Sequence, residues 1–171
     1  MRVRENRVTI HGKPLTLIGK EVGPGDKAPD FTALDNDLQE VGLGTFAGKI
    51  LVLSSVPSLD TPTCDMETRR FNQETHSLGN AVQVLTLSMD LPFAQKRWCA
   101  AAGIDSVKTL SDHRDASFGK NYGVLVEELR LLARVVFVVD RDTVVRYREI
   151  VSELTEEPDY GQALSAVRAL L

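Results

Sequence analysis

An α/β fold is expected from this chain, with a mixed sheet carrying helices on both faces, and three observations predict it. Residues 49–56 form a continuous apolar run, whose lack of alternation marks a strand buried on both sides. A helical repeat follows, and after it a second apolar run at 82–89. The chain then closes on a hairpin and an amphipathic helix, so strands and helices alternate along most of its length.

Each element has its own signal. Residues 7–18 read as a hairpin able to cap a core: Val8 and Ile10 alternate, His11-Gly12-Lys13-Pro14 turns, and Leu15 and Leu17 alternate again. A Gly/Pro/Asp-rich loop covers 23–29, a short strand 31–34, and polar turns surround Asn36. After the apolar strand and the loop 57–62, residues 63–78 fit a helix. There Cys64, Thr68, Phe71, Thr75 and Leu78 fall at i, i+4, i+7, i+11 and i+14. That phase turns Cys64 inward. Pro92 suits the first turn of a helix reaching about Ala102, with Gly103 as its stop and Cys99 late in its length. Residues 107–110 suit a short strand and 116–122 a short helix. Residues 135–139 and 144–147 suit a hairpin across Asp140-Arg141-Asp142. The closing helix, about 159–170, follows Pro158 and carries Leu164, Val167 and Leu171 on one side.

At 171 residues the chain is long enough for one domain, 1–171, with a core of its own. Its 20 basic residues are dispersed among 24 acidic ones, for a net charge of −4, so no cationic stripe points to nucleic acid. Residues 1–9 lack the apolar core and cleavage site of a signal peptide, and no run is long enough to span a membrane. A cytoplasmic protein with no membrane partner is expected. In that compartment two cysteines are more often free, metal-bound or redox-active than a permanent bridge.

The thiols differ in setting. Thr61 and Pro62 fit an N-cap followed by proline at the first helical position, which makes Cys64 the third helical residue, its backbone N–H within reach of the Thr61 hydroxyl. Unpaired donors at a helix start favour a thiolate, the reactive form of cysteine. The alternative is a small apolar core residue. Cys99 lies near a helix C-terminus, where the dipole disfavours an anion. Cys64 therefore suits the attacking thiol and Cys99 one that captures its oxidised form, unless the two are unrelated. Arg134 precedes the buried run 135–139, at a strand end where ligand sites gather. It either stabilises a thiolate and an incoming oxygen or reaches solvent from an edge.

Other chemistries have weaker support. There is no Cys-x-x-Cys, and the cysteines with His11, His76 and His113 have no zinc-ligand spacing, so neither a metal nor a cofactor is expected. Gly42, Gly44 and Gly48 precede a strand where a dinucleotide loop follows one, and read as turn residues. Asp60, Asp90 and Asp112 read as helix caps.

Pro57-Ser58-Leu59-Asp60-Thr61-Pro62-Thr63-Cys64 resembles the active-site signature of the peroxiredoxins, and within them the bacterial thiol peroxidase branch. Arg69-Arg70-Phe71-Asn72, the segment 88–95 (Ser-Met-Asp-Leu-Pro-Phe-Ala-Gln), Leu132-Ala133-Arg134 and Glu157-Pro158-Asp159-Tyr160 agree with it in order. Trp98 stands where that branch often has phenylalanine, a conservative departure. The resemblance implies a thioredoxin-like fold with an N-terminal hairpin, and a peroxidase acting on hydrogen peroxide and organic hydroperoxides in antioxidant defence. It implies Cys64 as the peroxidatic and Cys99 as the resolving cysteine, joined in an intrasubunit disulfide that thioredoxin reduces. Thr61 then bonds the thiolate and peroxide, Arg134 completes the pocket and Pro57 shields the sulfur. A homodimer is implied as well. Because both cysteines lie inside predicted helices, and a disulfide needs Cα atoms within roughly 4.4–6.8 Å, local unwinding near one or both is expected.

Overall fold

The hairpin is longer than its alternation indicates: β1 (Val3–Ile10) pairs with β2 (Lys13–Ile18) in the computed structural model, turning over His11 and Gly12, both at positive φ. The structure describes residues 3–171; Met1 and Arg2, part of the stretch read as carrying no signal peptide, lie outside the described residues. β3 (Ala33–Leu34) and β4 (Glu40–Val41) follow as two-residue strands. Then come β5 (Ile50–Ser55), α1 (Pro62–His76), β6 (Val82–Ser88), α2 (Pro92–Ala102), β7 (Val107–Ser111) and α3 (Ser117–Tyr122). The chain continues through β8 (Leu125–Val126), β9 (Leu131–Leu132), β10 (Val135–Val139), β11 (Val145–Ile150) and α4 (Tyr160–Arg168).

The main sheet is mixed and seven-stranded, in the order β11-β10-β5-β6-β7-β3-β4, and a second antiparallel sheet runs β1-β2-β8-β9. Every side chain of β5, β6 and β10 is buried, the polar Ser54, Ser55, Gln83, Thr86 and Ser88 included, as strands covered on both faces require. The two faces of β5 serve different cores. Leu51 and Leu53 join the hairpin residues Leu15 and Leu17 and the ring cluster of Phe31, Phe118, Tyr122 and Phe137. Ile50 and Val52 meet Phe71 of α1 and Leu164 and Val167 of α4. The hairpin is more than a cap, since β8 extends it from Leu17 and Ile18 into a sheet. Two-residue strands carry no periodicity, so the sequence does not announce β8 or β9.

Strand direction positions the site. β5, β6 and β7 are parallel, so their carboxyl ends share one edge. β10 runs antiparallel to β5 with Val135 opposite Ser55, which brings the residue before β10, Arg134, to that same edge. The α1 helix starts there too. Its partner α2 ends as expected, with Gly103 in the left-handed conformation donating its N–H to the Cys99 carbonyl.

Candidate active site

Thr61 is the N-cap of α1 and Pro62 its first residue. The Thr61 hydroxyl accepts the Cys64 N–H at 3.2 Å and donates its proton to the Ser58 carbonyl at 3.1 Å. Cys64 is therefore the third helical residue, with a short polar cap on its backbone and its side chain in an apolar nest of Val56 and Leu59, against which Trp98 packs. Pro57 is buried beside this nest. Cys64 itself is wholly buried.

Arg134 enters this nest as the largest fully buried side chain among the described residues. One guanidinium nitrogen, Nη2, lies 3.2 Å from Cys64 Sγ and 2.7 Å from the Leu154 carbonyl, to which Nε also donates at 3.2 Å. Nη1 donates to Glu67 Oε2 at 2.6 Å, and the other Glu67 oxygen accepts from Ser54 Oγ at 3.0 Å. Burial pushes the Glu67 carboxyl up to about 7, with Arg134 pulling the other way. For Arg134, burial opposes the charge, but Glu67 and Cys64 more than offset it and hold the guanidinium above its ordinary range. The guanidinium is thus a fixed cation in contact with a buried sulfur.

The second thiol has other neighbours. Cys99 is half-buried, and its sulfur meets Thr109 Oγ1 at 3.3 Å, facing a polar cleft of about 220 Å³ that Asn36, Asp37 and Lys108 also line. Both cysteines are free. Thus Thr61 and Arg134 meet Cys64, Pro57 is buried next to Val56 in the chain, and Cys99 stands outside that group.

The loop before α1 is held by Asp90. Its carboxylate accepts Ser58 Oγ at 2.7 Å, the Leu59 N–H at 2.8 Å and Ser88 Oγ at 2.7 Å. The expectation that Asp90 caps α2 is corrected: that helix has Leu91 as N-cap with no side-chain bond, because the carboxylate is committed to the loop. Asp60 caps nothing either, since Thr61 fills that role. Asp112 does serve a helix start, accepting the Phe118 and Gly119 N–H groups of α3.

Geometry alone describes a buried thiol, a helix cap and a trapped arginine; kinship adds the chemistry. A family model described as Redoxin matches residues 23–164. The chain is also 58% identical over 164 residues to the thiol peroxidase of Halalkalibacterium halodurans, covering 96% of this chain and 98% of that one. The chain belongs to the redoxin family. Within it the redoxin falls in the thiol peroxidase branch of the peroxiredoxins, which makes it an oxidoreductase of the peroxidase type. The thiol peroxidase of Oceanobacillus iheyensis is likewise 58% identical, over 160 residues that cover 94% and 97% of the two chains. Among solved structures, the peroxiredoxin-like protein from Aquifex aeolicus has a TM-score of 0.90 and 41% identity, covering 98% of this redoxin and 99% of its own chain. The thiol peroxidase from Chromobacterium violaceum, at 22% identity with 95% of each chain covered, agrees in fold with a TM-score of 0.83. The thioredoxin-like architecture expected from the sequence is that of this redoxin.

Sequence reasoning passed over Glu67 and Ser54. Glu67 lies three residues after Cys64 and so shares its helix face, which is the signal that pointed to it. A buried carboxyl on that face is tenable only with Arg134 beside it.

Proposed function

We propose that this redoxin reduces hydroperoxides at Cys64, with Arg134 as the electrostatic partner of the sulfur. The observation that carries the reading is the 3.2 Å contact between Arg134 Nη2 and Cys64 Sγ inside a buried nest. The Cys64 thiolate attacks one peroxide oxygen, forming an S–O bond as the O–O bond breaks, and two electrons pass from sulfur to oxygen. The departing oxygen takes a proton and leaves as water or an alcohol, while Cys64 becomes a sulfenic acid. Arg134 and the helix-start donors stabilise the charge that develops on the oxygens. The Thr61 hydroxyl, which donates to Ser58 in the resting site, turns that proton to the entering peroxide. Pro57 keeps water from the sulfur.

Cys99 then supplies the second thiol. Its sulfur displaces water from the sulfenic acid to form an intrasubunit Cys64–Cys99 disulfide, and thioredoxin returns the two electrons. Cys99 now faces Thr109, so the last turns of α2, the first of α1, or both unwind to bring the sulfurs together. The setting we propose is a cytoplasmic homodimer in antioxidant defence. Among the described residues no helix is long and apolar enough to cross a membrane.

One other constellation invites a hydrolase reading and does not support it. His76 Nδ1 lies 2.6 Å from Ser106 Oγ and 4.0 Å from Asp105 Oδ1. Both contacts fall on the same ring nitrogen, whereas a nucleophile–base–acid relay needs one on each.

The test is peroxide consumption by the wild type, Cys64→Ser and Cys99→Ser, each with a small dithiol and with thioredoxin. Loss of turnover in Cys64→Ser is expected with either reductant, and loss with thioredoxin alone in Cys99→Ser. Turnover retained by Cys64→Ser would refute the peroxidase assignment; Cys99→Ser matching the wild type with thioredoxin would remove only the resolving role.

A further inference from the structure

The residues next to the two cysteines are bonded to each other. Trp98, which precedes Cys99 in α2, donates its indole N–H to Oδ1 of Asp65, which follows Cys64 in α1, at 2.9 Å. The other Asp65 oxygen accepts from Arg69 Nε at 2.9 Å, and the Arg69 guanidinium lies over the Trp98 ring, 5.7 Å from its centre. Asp65, Arg69 and Trp98 thus close a triangle across the two helices. The indole meanwhile packs against the nest that buries Cys64, and the Cys99 sulfur is directed to Thr109 and the cleft beside it.

We infer that the Asp65–Trp98 tie gates the second step of the cycle, capture of the Cys64 sulfenic acid by Cys99, and leaves the first step alone. The inference rests on the peroxidase reading above. A disulfide requires the two Cα atoms within roughly 4.4–6.8 Å and a sulfur–sulfur bond of about 2.05 Å. The Cys99 sulfur must leave Thr109 and turn to Cys64, and the indole now covers that side of the nest. Because Trp98 and Cys99 are consecutive, the backbone movement that redirects the thiol also withdraws the indole. The Asp65 bond must break before the sulfurs meet. Peroxide attack does not require Cys99 to turn, since the groups it uses, Thr61 and Arg134, already meet Cys64.

The gate sets a competition. While the tie holds, the sulfenic acid waits, and a second hydroperoxide can oxidise it to the sulfinic acid, losing its own oxygen–oxygen bond and leaving as water or alcohol. When the tie opens, Cys99 displaces water and the disulfide forms. A stronger tie therefore favours overoxidation of Cys64, and a weaker one favours turnover.

Trp98→Phe keeps a ring in the nest and removes the N–H. Asp65→Ala removes the acceptor and keeps the indole, the only one in the chain. Quenched-flow mixing with hydrogen peroxide, followed by thiol alkylation and mass spectrometry, separates sulfenic acid from disulfide and sulfinic acid. In Trp98→Phe the rate of Cys64 oxidation should stay within twofold of the wild type. Disulfide formation should quicken about tenfold, the scale of one hydrogen bond to a charged group. The peroxide concentration that half-inactivates the protein should rise with it. In the double variant with Asp65→Ala, the gain should match that of the single variants rather than their product. Unchanged disulfide formation in Trp98→Phe, or additive gains in the double variant, would overturn the gate while leaving the peroxidase reading intact. A wild type whose Cys64 is never oxidised by peroxide would overturn both.

Discussion

Glu67 and Arg134 meet at 2.6 Å with side chains 0% and 1% exposed. A carboxyl and a guanidinium held out of water are costly to the fold unless each is bonded. Both are: Ser54 completes the carboxylate, and Cys64 and Leu154 complete the guanidinium. The sulfur is thus one corner of a buried polar network that would be costly to leave open.

Removing the cation should damage fold and chemistry together. Arg134→Met leaves Glu67 buried with Ser54 but without its cation, and we expect a loss of roughly 3–5 kcal/mol in unfolding free energy by denaturant titration. Peroxide consumption should fall by at least about a hundredfold. Arg134→Lys cannot reach Glu67, Cys64 and Leu154 with a single nitrogen in the same fork geometry, and should recover little of either. Near-normal turnover in the lysine variant would show that only a positive charge is needed.

Stability should fall as pH rises from about 4.5 to about 7. Glu67 titrates near 7 in the folded chain because it is buried, against roughly 4.3 when unfolded, so the folded state holds an extra proton within that window. Asp112, raised by burial to about 6, acts in the same direction. Below the window the sign reverses. Glu153, held at about 2 first by the Gly12 N–H and then by Thr155, contributes stability that is lost as pH falls from about 4.3 towards 2. Melting temperatures between pH 3 and 8 should peak near 4.5–5, and Glu67→Gln should flatten the neutral side. A wild-type profile that climbs from pH 5 to 7 would contradict this account.

The Thr61 cap should be separable from the Thr61 methyl group. Thr61→Val removes the acceptor for the Cys64 N–H and should cost about 1 kcal/mol, together with most of the peroxide rate. Thr61→Ser preserves the hydroxyl and should keep both within a few-fold. If the valine variant turns over peroxide normally, the hydroxyl has no part in the chemistry.

Asp90 should matter through the loop it holds. Asp90→Ala releases Ser58, Leu59 and Ser88, at a cost of about 1–3 kcal/mol. Because Ser58 in turn accepts the Thr61 proton, turnover should drop more than stability alone explains. Asp90→Asn retains one acceptor oxygen and should recover part of both, as read by stopped-flow peroxide consumption beside a urea melt.

The long elements were legible because their signals are local. The bounds of α2, its glycine stop and the Thr61 cap on Cys64 all follow from neighbours in the chain. What stayed hidden depends on partners far away in sequence. Glu67 reads as a surface residue until Arg134 arrives from 67 positions on. Asp90 reads as a cap until Ser58 and Leu59, more than 30 positions back, claim its carboxylate. Trp98 reads as a conservative ring, and only the proximity of α1 reveals the use of its N–H.

The reversed direction of β10 has a consequence for the chain's life before it is folded. Arg134 reaches Cys64 across 70 residues, and it does so only once β10 has docked against β5 in register. Contacts of such long range form late, after the costly loop closures have been met. A nascent or partly folded chain therefore carries a thiol without its buried cation. The meeting of guanidinium and sulfur is thus coupled to completion of the sheet, and a chain whose β10 has not docked lacks it.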